Sequence, residues 1–456
     1  MFIKKIKQAG FLLALSALFS SNVFAQDTTS LSLKDALNYA LQNYAEARKA
    51  KLDVENADYQ IEEVRSRALP QINGSGGLNY NPLLQMSALP GELNPTNPGK
   101  TLLVAFGQKW NANVGVSLSQ NLFDQAVFTG LKAANTTKEF YALNARLTEE
   151  QVLEKVATSY YQVLVQRQQI VNVDSNISNT AKTRNVIQGL FENGLGKKID
   201  VDRMEVKLSN LESQRQQLLN AVSQYENQLK FFIGMPIGQP VIIEEASPSP
   251  SKMGDLLLAD NSNLDNRSEI LVLEKQAELL DLQKQSIQAE YYPSLSLSGS
   301  YSYQGVSNSF PVFRGIEKGA NWFDVGTVGL NLKVPIFNGN ATRARVRQSE
   351  VARKKLKEDV ILSRQSINLE FENAKTQINN SLIILNRQKR NETLATNVME
   401  NTHNNYTQGL ATLTDLLDAQ TALFEARNSY NTSLLDFRLA EIQLIKAQGN
   451  LRTLLN

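Results

Sequence analysis

One residue type is missing from this chain of 456 residues and another occurs only once, and each scarcity removes a class of protein. There is no cysteine, which excludes a disulfide scaffold, a thiolate metal site and an acylated N-terminal cysteine. The single histidine, His403, leaves no basis for a Ser-His-Asp triad or a site with several histidine ligands. No G-x-S-x-G motif and no nucleotide-binding loop is present. We therefore expect no catalytic residues, no cofactor, no bound metal and no enzymatic activity.

Long apolar runs are missing as well. Beyond residue 25, no run approaches the length of a membrane helix, so any membrane contact must come from strands or a surface helix. Residues 1–25 have three lysines, a short apolar run and a small-residue cleavage site ending at Ala25, which predicts a secretory signal peptide. Its removal changes the formal net charge from +2 to −1. No basic surplus remains to suggest nucleic acid as a partner.

The two halves of the remaining chain resemble each other at a spacing of about 215 residues. Four matches occur in the same order in both halves: VGVSL at 114–118 with VGLNL at 328–332, Phe123 with Phe337, FENGL at 191–195 with YTQGL at 406–410, and Asp200 with Asp415. We predict two tandem structural repeats, residues 26–234 and 263–456. Residues 235–262, which contain four prolines, are predicted to link them.

Each half contains one very long helical segment. Residues 125–188 contain no proline and a single glycine, and residues 342–405 contain neither. At 1.5 Å per residue, each helix would be roughly 100 Å long. Apolar residues recur at steps of three and four along both segments, which is typical of a coiled-coil seam. Residues 197–232 and 412–454 are predicted to return as helices.

Two pairs of strands are predicted, in residues 70–123 and 293–337. They alternate apolar residues with serine, asparagine or glycine, which is typical of outer-membrane strands, although a soluble sheet with one solvated face shows the same pattern. The only tryptophans, Trp110 and Trp322, occupy the same end of equivalent strands, as an aromatic girdle at the membrane surface would. The proline-rich residues 81–100 are predicted to form an exposed loop.

Four strands are too few to close a barrel, since about eight are needed. Open edges are not tolerated in lipid, so copies of the chain are expected to associate through their strands. Two copies would supply eight strands with a filled interior. Three would supply twelve strands around a water-filled pore, which the serine and asparagine faces favour.

The two-fold repeat, the strand pairs, the long helices and the Gly-Leu turns resemble the TolC-like outer membrane efflux protein (outer membrane factor) family. The resemblance covers the chain from about Ser30 to Asn456. It implies an α+β membrane protein that forms a homotrimer, with four strands per chain in a twelve-stranded outer-membrane β-barrel. A long periplasmic α-helical coiled-coil tunnel would continue this barrel.

The family resemblance also implies a function. The chain would be the exit duct of a tripartite efflux or type I secretion system in the outer membrane of a Gram-negative cell. Its partners would be outer-membrane lipid, a periplasmic adaptor (membrane fusion) protein and an inner-membrane pump of the RND or ABC type. The alternatives are a structural periplasmic coiled-coil protein, which leaves the strands unexplained, and a porin, which leaves the long helices unexplained.

Two aspartates match the acidic constriction ring of the family. Asp415 and Asp418 are three residues apart, and so lie on one face of the predicted helix. In a trimer they would place six carboxylates near the axis, where they would select cations. The alternative is ordinary helix-start chemistry, with Thr412 as the N-cap.

Tyr406 and Asp200 match the family's latch, which holds the tunnel shut between the two turns. For Tyr406 the alternative is aromatic packing at a helix end. The position of the family's latch arginine is Ala411 here. The residues that could supply a cation instead are Lys197, Lys198 and Arg203.

The turns themselves are the candidate docking points for the adaptor. Gly194 and Gly409 are expected to adopt positive φ and end the long helices. By resemblance to the family, Leu195 and Leu410 beside them would receive the adaptor protein.

Overall fold

The computed structural model describes residues 29–93, 95, 99–244, 266–310 and 319–455. These ranges contain seven α-helices and eight β-strands. The predicted signal peptide, residues 1–25, and residues 245–262 of the predicted linker lie outside the described residues.

The elements of the first half of the chain alternate between strands and helices. In chain order they are β1 (Thr29–Leu31), α1 (Leu33–Asn43), α2 (Ala45–Ser66), β2 (Gln71–Tyr80), β3 (Gln85–Leu89), β4 (Leu102–Phe106), β5 (Trp110–Phe123), α3 (Gln125–Glu192), α4 (Lys198–Ile233) and β6 (Val241–Ile243). The elements of the second half are α5 (Ser268–Ala289), β7 (Ser294–Ser307), β8 (Ala320–Lys333), α6 (Ala341–Thr407) and α7 (Leu413–Ala447).

The predicted long helices are confirmed. α3 and α6 contain 68 and 67 residues. The predicted returning helices correspond to α4 and α7, and α7 is followed by a short 3₁₀ turn at Leu451–Leu455. Helix formation over such lengths follows from sequences rich in good helix formers that lack proline. The tandem repeat itself stays a prediction.

The described residues divide into two compact units, and each takes segments from both halves of the chain. Unit 1 comprises the described residues up to Ala50 with Ala145–Ser268 and residues 364–455, and unit 2 comprises Lys51–Asn144 with Glu269–Ser363.

The main core of unit 1 lies where α1 packs on α3. Val156 and Tyr160 of α3 are fully buried beside Leu37 of α1, and Ile233 of α4 and Ile442 of α7 complete the cluster. A second cluster joins Phe371 and Ile378 of α6 to Phe437 and Leu444 of α7. These α3 and α6 residues lie on the predicted apolar stripes, which are buried at these positions and only partly buried farther along, at Ile170, Ile177 and Leu385.

The side chain of Tyr160 in α3 also anchors β1, the first strand of the described chain, and the end of β6. β1 pairs in parallel with β6, which follows α4. The Tyr160 hydroxyl lies 3.1 Å from the Leu31 carbonyl oxygen and 2.7 Å from that of Glu244, at the ends of these two strands. A buried phenol hydroxyl therefore satisfies its hydrogen-bonding need on two backbone carbonyls.

Unit 2 contains an antiparallel sheet of four strands in the order β2-β5-β7-β8. Direct partners run across all four strands, for example Ser117 with Ser300 and Ser300 with Thr327. β2 pairs with β5 over its whole length, from Gln71 opposite Ser119 to Tyr80 opposite Trp110. In the described sheet, β2 and β8 each have a neighbour on one side only.

The helices of unit 2 follow the same order as the strands to which they are joined. Lys138 of α3 pairs with Asp58 of α2 at 2.6 Å. Lys275 of α5 pairs with Glu139 of α3 at 2.7 Å. Ion pairs between Lys284 and Glu350 at 2.7 Å, and between Arg353 and Asp281 at 3.0 Å, join α5 to α6. The helix order is therefore α2-α3-α5-α6.

Two predictions about the strand regions need correction. Residues 81–100 are not entirely loop, because β3 lies within them and pairs antiparallel with β4. The prolines at positions 82, 90 and 95 fall outside both strands and so do not interrupt the hairpin. The strand predicted to reach Phe337 ends at Lys333, since Pro335 lacks an N–H and restricts Val334.

Within the described ranges, no helix has both the length and the apolar character required to cross a bilayer.

Candidate functional site

Two turns connect the long helices to the returning helices with the same backbone geometry. We call them the helical tips, residues 193–197 and 408–412. Gly194 and Gly409 both have φ of 76°, as predicted, in the region that glycine favours. In each tip, the N–H of the following leucine donates 2.8 Å to the carbonyl five residues back, which closes the helix end. Leu195 and Leu410 remain 78% and 75% exposed.

Asp200 acts on Tyr406, its partner in the predicted latch, within one chain. Tyr406 is half-buried, and burial raises the pKa of its hydroxyl. The negative charge of Asp200 raises that pKa further. Arg203 lies one turn along α4, with its Nη1 atom 3.7 Å from Oδ1 of Asp200. Arg203 thus places a cation beside Asp200 although position 411 is alanine.

Asp415 is held by the start of its own helix. Thr412 is the N-cap of α7, and its hydroxyl and backbone N–H donate to Oδ2 of Asp415 at 2.7 and 2.9 Å. The Asp415 N–H donates in return to the Thr412 hydroxyl oxygen at 3.2 Å, which completes a capping box. These hydrogen bonds from Thr412 lower the pKa of Asp415. Within one chain, Asp415 therefore makes the contacts expected of a residue at a helix start, with Thr412 as the N-cap.

Asp418 has a different environment, near a lysine that the sequence analysis did not identify. Lys207 of α4 is half-buried, and its Nζ atom donates to the Thr421 hydroxyl at 3.2 Å and the Leu417 carbonyl at 3.4 Å. Burial lowers the pKa of Lys207, while the negative charge of Asp418 acts in the opposite direction. The spacing of Asp200, Arg203 and Lys207 on one face of a helix was the signal that could have revealed this residue.

A small apolar cluster holds the tip region together. Ile187 of α3 packs with Val201 and Met204 of α4, and Leu413 and Leu417 of α7 lie against them. Above this cluster, a groove of about 540 Å³ is lined by α3, α6 and α7. Its lining residues include His403, Tyr406, Lys182, Glu400 and Arg427. The structure thus brings the predicted latch residue Tyr406 and His403 to one polar groove.

The helix packing near the groove is polar. Gln420 of α7 is buried and donates to the Thr183 hydroxyl of α3 at 3.3 Å. Farther along, the buried Asn172 donates to the Asn428 side-chain oxygen at 3.4 Å. Polar pairs therefore join α3 to α7 near the tips, whereas apolar residues form the main core of unit 1.

The four-stranded sheet of unit 2 separates apolar from polar residues, as the alternation predicts. Register places most of the apolar residues of the four strands on one face, and many of those side chains are exposed in the single chain. Phe323 and Val325 of β8 are exceptions that lie on the other face. The members that are at least 46% exposed are Ile72, Leu78, Tyr80, Val114, Val116, Tyr301, Tyr303, Val328, Leu330 and Leu332. The other face carries serine and asparagine, with Asn331 donating to the Ser298 hydroxyl at 2.8 Å.

Trp110 and Trp322 lie at the same end of this sheet. Trp110 is opposite Ser307 of β7, and Trp322 is opposite Gly305 of the same strand. The Trp110 ring lies 4.6 Å from that of Tyr80, and the Trp322 ring 4.9 Å from that of Tyr303, between centroids. Four aromatic rings therefore collect at one end of the apolar face.

Across the described part of the chain, no group of three or more histidine, aspartate and glutamate side chains is placed to hold a metal ion. The chemistry that these surfaces can perform is recognition through charge and apolar contact. It includes an acidic helix start, a polar groove, exposed leucines and an apolar sheet face.

Comparison with known proteins gives consistent results. The family model "Outer membrane efflux protein" matches residues 36–235 and 261–450. Outer membrane protein TolC of Vibrio cholerae is 22% identical over 453 residues, which are 97% of this chain and 94% of that protein. The proteases secretion protein PrtF of Dickeya chrysanthemi is 23% identical over 334 residues, 70% of this chain and 67% of that protein.

A solved structure resembles the fold over most of its length. The outer membrane protein VceC of Vibrio cholerae superposes with a TM-score of 0.67 at 16% identity. The superposition covers 91% of this chain and 96% of that one. At this level of identity the likeness concerns the fold.

Asp415→Asn should reduce the acid sensitivity of the folded protein. Because the hydrogen bonds from Thr412 lower the pKa of Asp415, its ionised form stabilises the folded state above about pH 4. That stabilisation is lost as the pH falls through the lowered pKa. Thermal melting followed by circular dichroism between about pH 7 and pH 3 should show a smaller loss for the variant than for the wild type. Asp436→Asn, an exposed site farther along α7, should behave like the wild type, and identical acid profiles for all three proteins would contradict the role of the cap.

Proposed function

Because the chain belongs to the outer membrane efflux protein family, we propose that three copies of it form one exit duct. The protein is an outer-membrane channel for export, and its family consists of transport channels rather than enzymes. Its place is the outer membrane of a Gram-negative cell, with the helical part in the periplasm. The proposal concerns the number of copies, the partners and the residues that control passage.

One observation carries the proposal: the broad apolar face of the sheet is exposed, and both outer strands have an open edge in the described sheet. Lipid is the environment that favours such a face, and backbone groups at membrane depth need partners from other strands. Three copies would supply twelve strands, enough for a barrel with a water-filled interior. The polar face with Ser298 and Asn331 would then line the pore.

The aromatic end of the sheet supports a membrane boundary there. Trp110, Tyr80, Trp322 and Tyr303 would form part of a girdle at the lipid–water interface, where amphipathic rings are favoured. Asp324, which lies on the apolar face opposite Tyr303 and accepts from the Tyr301 hydroxyl at 3.3 Å, is close to this end. A charged residue is less costly near the interface than at the centre of the bilayer.

The helical tips would dock a periplasmic adaptor protein, itself bound to an inner-membrane pump of the RND or ABC type. This proposal is supported by the high exposure of Leu195 and Leu410. A leucine in water adds no packing energy to the folded tip, so these side chains are available for an apolar contact with a partner. Gly194 and Gly409 give both tips the same conformation, so one adaptor surface fits either. The name of PrtF concerns protease secretion, so the cargo of this duct includes both efflux substrates and secreted proteins as candidates.

The region around the tips would close the duct. Asp418 and Asp415 of three chains would form the acidic constriction, with Lys207 lying behind Asp418. Asp200, Arg203 and Tyr406 would form the latch, in which the pair between Asp200 and Arg203 takes the place of an arginine at position 411. A constriction of carboxylates favours cations over anions.

The mature protein should require detergent for extraction and should be a trimer. The apolar face would otherwise lie in water, where it would drive aggregation. Light scattering with correction for bound detergent measures the mass of the protein component. A monomer or a dimer would reject the proposed duct.

Leu330→Lys should impair insertion, whereas Asn331→Lys should be tolerated. A lysine on the lipid face costs about 2–4 kcal/mol at the middle of the bilayer, but one on the pore face stays hydrated. The two adjacent residues of β8 provide matched sites, and Leu330 is 65% exposed in the single chain. The yield of folded oligomer in outer-membrane fractions measures the difference. Equal yields would show that the lipid and pore faces are assigned wrongly.

Replacing both aspartates of the proposed constriction by asparagine should weaken the preference of the channel for cations. The double variant Asp415→Asn and Asp418→Asn removes six formal charges from a trimer, and single-channel recordings in planar bilayers measure the reversal potential. Each single variant should give part of the change, since Asp415 keeps its negative charge within the cap that lowers its pKa. Asp436→Asn serves as the control, and unchanged selectivity in the double variant with an intact trimer would reject the gate.

A further inference from the structure

Lys207 interrupts the buried stripe of α4. Met204 and Leu211, which precede and follow it on the same face of the helix by steps of three and four residues, are both buried. This spacing predicts an apolar residue at position 207, and the chain has a half-buried lysine there. An ammonium group that is partly withdrawn from water costs free energy unless polar groups bind it. The partners of Lys207 therefore indicate what it does.

One turn of α7 binds the ammonium group of Lys207. Its Nζ atom donates to the Thr421 hydroxyl oxygen at 3.2 Å and to the Leu417 carbonyl oxygen at 3.4 Å. The Thr421 hydroxyl itself donates to that carbonyl oxygen at 2.8 Å, so the three groups form a closed set of hydrogen bonds. Asp418 belongs to the same turn, and its negative charge favours the charged form of the lysine.

This contact differs from two ion pairs near the helical tips in the helices that it joins. α3 and α4 form one helical hairpin, and α6 and α7 form a second. Arg184 Nε lies 3.5 Å from Oε1 of Glu205, which joins α3 to α4. Arg427 Nε lies 3.7 Å from Oε1 of Glu392, which joins α7 to α6. Both pairs stay within one hairpin, whereas Lys207 connects the two hairpins of the chain.

Apolar packing also connects these hairpins, but it does so less specifically. Leu417 of α7 lies against the apolar cluster that includes Met204 of α4. Apolar contact is non-directional, so it holds two helices together without selecting one position along them. Hydrogen bonds require a short distance and a suitable angle. The bonds of Lys207 therefore fix which turn of α7 lies beside α4.

Lys207 also fixes the rotation of α7 where the proposed constriction lies. Leu417 precedes Asp418 by one residue, and Thr421 follows it by three. When the Leu417 carbonyl and the Thr421 side chain are held against α4, the direction in which the Asp418 side chain leaves the helix is determined as well. Three copies would then direct their Asp418 carboxylates in the same way.

The arrangement of hairpins explains why such a contact bears on opening. Two hairpins in each of three copies give six hairpins around the axis of the proposed duct. The duct widens at the tips only if neighbouring hairpins separate or slide past each other. Half of the boundaries between hairpins lie within one chain, and each of these contains one Lys207. A hydrogen-bonded contact at that boundary resists widening.

We infer that Lys207 is a positioning residue of the gate, which ties the two hairpins of one chain together and holds Asp418 in its direction. The inference rests on the proposed trimeric duct and adds a residue that acts on its gate through another. The predicted latch relates Asp200 to Tyr406 of α6. Lys207 instead holds α7, the helix that carries both aspartates of the proposed constriction.

Lys207→Met should open the channel, because it keeps an unbranched side chain and removes the ammonium group that binds α7. Single-channel recordings of the trimer in planar bilayers should show a conductance several-fold above that of the wild type. Lys207→Arg retains the charge and the donors and should stay close to the wild type. The matched control is Arg215→Met on the same helix, since Arg215 pairs with Asp174 of α3 at 2.6 Å, within one hairpin. This control should leave the conductance unchanged.

Thermal stability provides a readout that separates positioning from packing. Methionine at position 207 would complete the apolar stripe between Met204 and Leu211, and replacing a partly buried charge by an apolar side chain is often neutral or stabilising. Lys207→Met should therefore melt at or above the temperature of the wild type, as followed by circular dichroism, while its conductance rises. A residue that served packing alone would lose stability when it is replaced.

The hydroxyl of Thr421 tests whether the two hairpins are tied through this contact. Thr421→Val removes one acceptor and leaves the Leu417 carbonyl, so it should raise the conductance less than Lys207→Met does. The combined variant should resemble Lys207→Met alone, because both substitutions break the same contact and their effects are then not additive. Fully additive increases in conductance would contradict the contact between the two side chains.

The outcomes separate this inference from the proposed function. A wild-type protein that is monomeric in detergent would overturn the duct and the inference together. Intact trimers of Lys207→Met that conduct like the wild type would overturn the inference alone. An increase of equal size in Arg215→Met or in Lys207→Arg would also overturn it, since the tips would then open through general loosening of the helices.

Discussion

Backbone N–H and C=O groups along β2 and β8 need hydrogen-bond partners, and in hydrocarbon only another strand can supply them. In the described sheet each of these strands is paired on one side, while the apolar face that includes Val328 and Leu330 is exposed. A single chain satisfies neither requirement. In the proposed trimer, lipid around the sheet and further copies at its edges would satisfy both.

The helices of unit 1 distribute polar and apolar contacts unevenly. Around Tyr160 the packing is apolar, and its buried hydroxyl is satisfied by backbone carbonyls. Nearer the tips, Thr183 and Gln420 form a polar contact between α3 and α7. Polar contacts between helices can be replaced by hydrogen bonds to water, so the packing of α3 on α7 at Thr183 and Gln420 can change at lower cost than the apolar core around Tyr160. The apolar cluster of Ile187, Val201 and Met204 holds the tips themselves together.

The charged residues at the tips divide into two kinds. Asp415 is engaged by Thr412, so its charge stabilises the start of α7. Asp418, Lys207, Asp200 and Arg203 lie between helices or along the exposed surface of α4, where salt screens the interactions of their charges more readily. The proposed gate therefore combines an aspartate held at the start of α7 with charges whose interactions weaken as the salt concentration rises.

Local patterns in the chain were sufficient to predict the proline-free helices, the alternating strands, and positive φ at Gly194 and Gly409. The spacing of repeated motifs also pointed to the family, since such spacing survives low identity. Tertiary contacts were needed to establish which aspartate is engaged in a cap, that Lys207 lies near Asp418, and that β3 and β4 form a hairpin. Some of these contacts join residues that are distant in the chain, and the cap depends on which of several nearby groups a carboxylate binds. Hydrophobic periodicity gives information on neither. The placement of α2 and α6 at opposite ends of unit 2 likewise follows from strand order, which only the pairing of the strands reveals.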